Sequence, residues 1–177
     1  IYPCNVRQAK DIEEMVDYAL YKSPIRLSNG NEQSNQIGHI NFLVNNAGGQ
    51  FVSPLEAISE KGFKAVVETN LFSMFYLSKE VYTKSMKISG QGGSIVNITV
   101  ANQNGFPMMA HSGAARAGVE NLMKSMALEW INHGVRINNV APGIIFTESG
   151  FENYGEMGDF FLETLLPSIP AHRCGSP

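Results

Sequence analysis

Ile40-Asn41-Phe42-Leu43-Val44 is an apolar run of strand length, and it ends abruptly in Asn45-Asn46-Ala47-Gly48-Gly49. Such a run suits a strand buried in a parallel sheet, and the amides and glycines after it make a tight turn. Downstream, Val66, Val67, Leu71, Met74, Phe75, Leu77 and Val81 return to one side of a helix predicted over 63–87, which the glycines of 90–93 stop. Ser94-Ile95-Val96-Asn97-Ile98 reads as the next strand. Residues 114–130 form a helix through Val119, Leu122, Met126 and Leu128, and Gly134 leads into a strand over 135–140 that runs into Ala141-Pro142-Gly143. Upstream, Ile12, Met15, Val16, Ala19 and Leu20 mark an amphipathic helix over 11–21, and residues 1–6 read as the middle of a strand. Strands alternating with helices of crossover length predict an α/β fold, a Rossmann-like doubly wound parallel sheet covered on both faces.

The 177 residues are 44% hydrophobic and 16% charged, enough apolar side chain for one core and too much for a disordered chain. Thirteen Lys and Arg against sixteen Asp and Glu leave a net charge of −3, so no basic surplus faces nucleic acid or an anionic membrane. Cys4 and Cys174, near opposite ends, form no C-x-x-C pair, which supports neither a disulfide framework nor a zinc cluster and fits a reducing compartment. No apolar run is long enough to span a bilayer. Residues 22–39, rich in Ser, Asn, Gln and Gly, carry no periodicity and predict a surface insertion, centred on 22–36. The mid-strand start and the loop-like end predict one partial domain over 1–177, truncated at both ends.

In parallel sheets ligands bind beyond the carboxyl ends of the strands. That singles out the loops 45–50, 99–115 and 142–148. Asn45-Asn46-Ala47-Gly48-Gly49 lets a flat or anionic ligand approach the backbone, or is only a turn. Asn70 interrupts an apolar helix face, so its amide either caps a local irregularity or orders water near a site. Ser112 and Arg116, four apart at a helix start, project to one face, where a hydroxyl beside a permanent cation could hold a ribose or polarise a carbonyl. His111 has no neighbouring carboxylate to orient it and reads as a packing or hydrogen-bonding residue. The 142–147 loop can lay backbone amides and the Thr147 hydroxyl along a planar ligand.

In order, Asn45-Asn46-Ala47-Gly48, Asn70-Leu71, Asn97-Ile98-Thr99, the Ser112 to Arg116 helix, and Pro142-Gly143 with Thr147 resemble the short-chain dehydrogenase/reductase family. The resemblance covers the chain apart from the insertion. Within the family, Gln50-Phe51, His111 to Val119, Ala127-Leu128-Glu129-Trp130 and Glu152-Asn153-Tyr154-Gly155 are similar to the branch of peroxisomal trans-2-enoyl-CoA reductases. That branch implies NADPH as cofactor, a fatty enoyl-CoA as substrate, a peroxisomal location, and a homodimer or homotetramer built on the two long helices. It also implies that a Gly-rich N-terminal unit, a final strand and any sorting tail lie outside this sequence.

By this resemblance the family tyrosine falls on Ser112 and its lysine on Arg116. The Tyr18-Ala19-Leu20-Tyr21-Lys22 match to Y-x-x-x-K lies in the first helix, away from the strand ends. Ketone reduction needs an acid for the developing alkoxide, whereas enoyl thioester reduction needs hydrogen-bond donors for an enolate oxygen. Absence of the tyrosine therefore favours C=C over C=O reduction. The catalytic expectation is Arg116 as field and ribose ligand, Ser112 bonded to enolate or ribose, Asn70 ordering a water, and Thr99, or Val100 after a one-residue shift, in place of the family serine. The cofactor expectation is Asn5 and Val6 at the adenine, Asn46, Ala47 and Gly48 at its ribose, and Pro142, Gly143, Ile145 and Thr147 at the nicotinamide. The alternatives are a 2,4-dienoyl-CoA or carbonyl reductase, or an inactive cofactor-binding relative. Residues 151–166, with Phe160, Phe161, Leu165 and Leu166, read as a substrate lid or a plain surface helix.

Overall fold

The computed structural model describes residues 1–22, 25–26, 32–33, 38–152, 154–155, 158 and 163–177. Its centre is a parallel sheet of β3 (Phe42–Asn45), β4 (Gly93–Ile98) and β5 (Val135–Val140), in that spatial order. The register sets Leu43 beside Ile95 and Ile137, and Asn45 beside Asn97 and Asn139. Ahead of the sheet run α1 (Ala9–Asp17), its π-helical continuation Tyr18–Lys22, and a two-residue antiparallel pairing of β1 (Ile25–Arg26) with β2 (Glu32–Gln33). The expected insertion thus carries one short ladder; its other residues from 23 to 37 lie outside those described.

The crossover from β3 to β4 is helical over 60–89, divided into α2 (Glu60–Val67), π-helical Glu68–Phe72, α3 (Ser73–Val81), π-helical Tyr82–Met86 and α4 (Lys87–Ser89). Ser59 starts it by accepting a hydrogen bond from Gly62 N at 3.1 Å, the N-cap role. The crossover from β4 to β5 is α5 (Ala110–Trp130), four residues longer at its start than its periodicity predicts, because Ala110-His111-Ser112-Gly113 continue the helix without adding to its apolar stripe. Gly134, at φ 72°, takes the left-handed turn that a side chain would strain before β5 begins.

The core joins Val16 of α1 and Leu20 of its continuation, Val81, Tyr82 and Met86 of the long helix, Met126 and Trp130 of α5, and Ile95, Val135 and Ile137 of the sheet. Tyr82 stacks on Trp130 at 4.0 Å, and its hydroxyl meets His133 Nδ1 at 2.9 Å. All of these pack on one face. Both crossovers step in one direction along β3-β4-β5, so their common right-handedness puts the two crossover helices on the same side, where α1 joins them in the core. The expected cover on both faces is therefore not found among the described residues: Phe42, Val44 and Val140 point outward, 59%, 47% and 49% exposed. The expected strand over 1–6 is absent too. Strand geometry needs a ladder partner, and Asn5 instead closes a turn, accepting from Arg7 N through Oδ1 and from Gln8 N through its carbonyl.

On the helix-covered face, Asn45 at the end of β3, Asn97 one residue before the end of β4 and the facing Asn139 of β5 form an amide ladder. Asn45 Nδ2 donates to Asn97 Oδ1 at 2.8 Å and to Ser78 Oγ at 2.9 Å, and Asn97 Nδ2 donates to Asn139 Oδ1 at 2.9 Å. Asn97 is completely buried. Polar side chains at this depth are stable only when bonded, and the ladder ties the three strands together just before they release the loops of the site.

Candidate functional site

Beyond those strand ends the loops enclose a cavity of about 340 Å³ lined by Gly48, Gly49 and Gln50 after β3, Thr99 and Val100 after β4, Arg116 from α5, and Pro142, Gly143, Gly150 and Tyr154 after β5. No carboxylate is among the described lining residues, and Arg116 makes the wall cationic. That charge suits an anionic ligand.

Asn70 lies in the π-helical segment Glu68–Phe72 and is fully buried. Its Oδ1 accepts from Gly49 N and its Nδ2 donates to Gly49 O, both at 2.9 Å, so the side chain pairs with a loop residue as a neighbouring strand would. Of the two readings of Asn70, the local irregularity is real, and its amide is engaged by the Gly49 peptide. A π-turn inserts one extra residue per turn and re-aims the side chain it carries. Asn70 Nδ2 also approaches Ser112 Oγ at 3.4 Å.

Ser112 is fully buried, and its hydroxyl donates to Gln50 Oε1 at 2.6 Å. Gln50 Nε2 in turn donates to the Tyr154 phenol oxygen at 2.9 Å. A continuous chain thus runs from the long helix through α5 and the β3 loop to the loop after β5. Arg116 is half-buried, with Nη1 donating to Ile98 O at 2.6 Å. Burial lowers its pKa from the ordinary 12.5, opposed by the electrostatic pull of Tyr154. Its Nη2 would lie 2.5 Å from a Cβ at position 48, with Asn70 Oδ1 at 3.0 Å. A side chain at position 48 would have to displace the guanidinium, which Gly48 leaves in place.

Thr99 is buried and its Oγ1 donates to Val140 O at 3.3 Å, while Val100 lies beside it on the cavity wall, so the one-residue ambiguity brings both to the site. Asn46 and Ala47 are exposed outside the lining, and Asn5 and Val6 lie in the turn before α1. Ile145 bridges to Gly175, and Thr147 Oγ1 accepts from Gly150 N at 3.2 Å at the start of α6 (Glu148–Glu152). His111 is fully buried, edge-on to Phe51 at 4.3 Å, and neither ring nitrogen has a hydrogen-bond partner among the described residues. It packs rather than bonds. Of the expected lid, residues 153, 156–157 and 159–162 lie outside those described; Leu165 precedes a short 3-10 turn, Leu166–Ser168.

Two site residues escaped the sequence reading: Gln50 and Tyr154. Both stand inside stretches quoted for the resemblance, yet nothing local marks them. Only the fold closes the 104-residue gap between them. The cavity also meets a physical requirement for a dinucleotide. An added Cβ at Gly49 or Gly143 meets nothing within 4 Å, so bare backbone faces open space on two sides of the cavity. Flat rings and phosphates approach such backbone closely, and Arg116 supplies a cation beside it.

The sequence profile of the short chain dehydrogenases matches residues 26–154. The peroxisomal 2,4-dienoyl-CoA reductase [(3E)-enoyl-CoA-producing] of Danio rerio is 39% identical over 142 residues, 78% of this chain and 46% of that protein. The chain therefore spans about half the length of this curated relative. A citronellol catabolism dehydrogenase of Pseudomonas aeruginosa superposes with TM-score 0.72 at 37% identity, covering 98% of this chain and 59% of the other. A short chain dehydrogenase from Bacillus anthracis gives 0.79 at 29% identity, covering 99% and 62%. Profile, relatives and parallel sheet with its strand-end cavity agree: the chain belongs to the short chain dehydrogenase family.

Proposed function

We propose that the full-length protein reduces the α,β double bond of trans-2-enoyl-CoA thioesters with NADPH. The observation that carries this reading is the burial of Ser112. At the position where the resemblance puts the family tyrosine, a fully buried hydroxyl already donates to Gln50, so a ketone would find no acid there. Enolate formation has no such need. A bound reduced nicotinamide supplies hydride for the β carbon, and the chain's donors hold the oxygen on which charge gathers. Arg116 holds the cofactor ribose and makes the wall electropositive, while Asn70 fixes the Gly49 backbone and orders a water. Thr99 stands in the place of the family serine. Asn46, Ala47 and Gly48 face the adenine-side ribose, Asn5 and Val6 the adenine, and Pro142, Gly143, Ile145 and Thr147 the nicotinamide.

The name of the Danio rerio relative supports reduction of an unsaturated acyl-CoA and favours a second substrate, a 2,4-dienoyl-CoA. It also supports a place in peroxisomal fatty acid metabolism. No helix among the described residues is long and apolar enough to cross a membrane. Exposed Phe72 and Phe75 on the long helix and Leu128 on α5 support a homodimer or homotetramer.

Deuterated NADPH and mass spectrometry of the products test the reading. The full-length protein is expected to place one deuterium at C3 of a saturated acyl-CoA from trans-2-decenoyl-CoA. A 3-enoyl product from the 2,4-diene alone moves the assignment to the second substrate. Deuterium appearing only in a 3-hydroxyacyl product, or in none, overturns both.

A further inference from the structure

We infer that Arg7 and Glu68, which lie outside the cavity lining, are the positioning pair that holds Gly49 where a dinucleotide meets its backbone. The inference rests on the proposed nicotinamide cofactor site and names what steadies one wall of it. Gly49 lines the cavity, and the Asn70 amide clamps it by bonding both its N–H and its carbonyl at 2.9 Å. Asn70 rides on the π-helical segment Glu68–Phe72, so the clamp is only as steady as that segment. Local bonds do little to stiffen it. Thr69 Oγ1 donates to Ala65 O and Ser73 Oγ donates to Thr69 O, and hydroxyls that bond back onto a helix's own carbonyls bend it.

Glu68 is where the segment is gripped from outside. Two residues apart on a helical turn, Glu68 and Asn70 project to opposite sides, so fixing the one fixes the rotation that aims the other. Arg7 meets Glu68 Oε2 with Nη2 at 2.6 Å and Nε at 3.1 Å, while Glu68 Oε1 faces Lys64 Nζ at 3.9 Å. The planar guanidinium presents its donors in a rigid fork, which gives this contact a direction that a lone ammonium lacks. Its base is fixed as well. Asn5 Oδ1 accepts from Arg7 N at 3.1 Å, Asn5 O accepts from Gln8 N at 2.9 Å, and Asn5 N donates to Asp11 Oδ2 of α1 at 3.2 Å. A contiguous line thus runs from the turn ahead of α1 through Glu68 and Asn70 to Gly49. With side chains 44% and 22% exposed, the pair adds little to global stability, and its effect is one of orientation.

The test uses the full-length protein carrying Glu68→Gln, Arg7→Met, or both. Amide hydrogen exchange at Gly49 reports the clamp directly, because that N–H is bonded to Asn70 Oδ1. Each single change is expected to speed it about 2- to 30-fold, the range for residues that act through a neighbour, and to leave the amides of β4 unchanged. The NADPH KM and dissociation constant are expected to rise within the same range of about 2- to 30-fold while kcat stays within about twofold, since ground and transition states lose the same backbone contact. A merely structural pair would instead speed exchange throughout the sheet. The double variant is expected to be no worse than the worse single. Unchanged exchange at Gly49 in both singles, exchange that rises equally in β4, or losses that add in the double overturns the pair. Faster exchange at Gly49 with unchanged NADPH affinity overturns its bearing on the cofactor. Wild type that binds no NADPH overturns the cofactor reading separately, and the exchange result still judges the pair.

Discussion

At residue 48 a side chain would have to push back Arg116 Nη2 and Asn70 Oδ1, which converge on the space a Cβ would take. Gly48→Ala should cost about 1–3 kcal/mol from overpacking, read as a lower urea midpoint, and should weaken NADPH binding in the same protein. An unchanged midpoint would mean that the guanidinium moves aside freely. His111 makes the opposite case. With both nitrogens buried and unbonded among the described residues, the ring contributes packing and forfeits its hydrogen bonds. His111→Phe should leave stability unchanged or raise it by about 1 kcal/mol in urea unfolding, and a loss of that size would contradict the assignment. Sequence alone reached Gly48, Ser112 and Arg116 because their types at those spacings are chemically legible. It missed Tyr154 because a tyrosine after a loop carries no local mark of the cavity that it faces.

At the scale of elements, the strands, both long helices and their order were legible from periodicity, since burying one helix stripe and a three-strand sheet leaves a strong pattern. The interruptions were not. The π-helical segment around Asn70 and the amide ladder across β3, β4 and β5 depend on side chains distant in sequence. Asn97→Leu removes the middle rung, leaving Asn139 Oδ1 without its donor, and should cost about 1–3 kcal/mol. In a double-mutant cycle with Asn139→Leu the two losses should be less than additive, whereas simple additivity would show that the rungs do not couple. Lys84 ties the long helix to α1 through Asp17 at 2.7 Å and Glu13 at 3.3 Å. Burial pulls its ammonium pKa down, but hydrogen bonds and charge from Asp17 and Glu13 outweigh it and raise the pKa above the ordinary 10.5. A raised lysine pKa stabilises the fold below 10.5 and loses that contribution as pH climbs through the higher folded value. Lys84→Met should therefore cost at most about 1 kcal/mol at pH 7, and the gap to wild type should close in alkali. A gap that persists above that range would assign the effect to packing.

Across the whole molecule, the two crossover helices and α1 pack into one core on one face of the sheet, while Phe42, Val44 and Val140 remain outward on the other. Periodicity reports which residues are apolar, but the side on which a crossover falls follows from its handedness and its direction along the sheet. The expected Rossmann-like parallel sheet is found, and among the described residues its helices lie on one face. The strand-end cavity is unaffected, because its walls come from three loops on the same edge of the sheet. The chemistry proposed for it comes down to one preference, for a conjugated C=C over a ketone. The most direct test compares kcat/KM of the full-length protein, with NADPH, for trans-2-enoyl-CoA and 3-oxoacyl-CoA of equal chain length. The account predicts an enoyl preference of at least about 10³-fold, since a missing acid catalyst typically removes 10²–10⁴ from carbonyl reduction. Equal values, or a preference for the ketone, would contradict it.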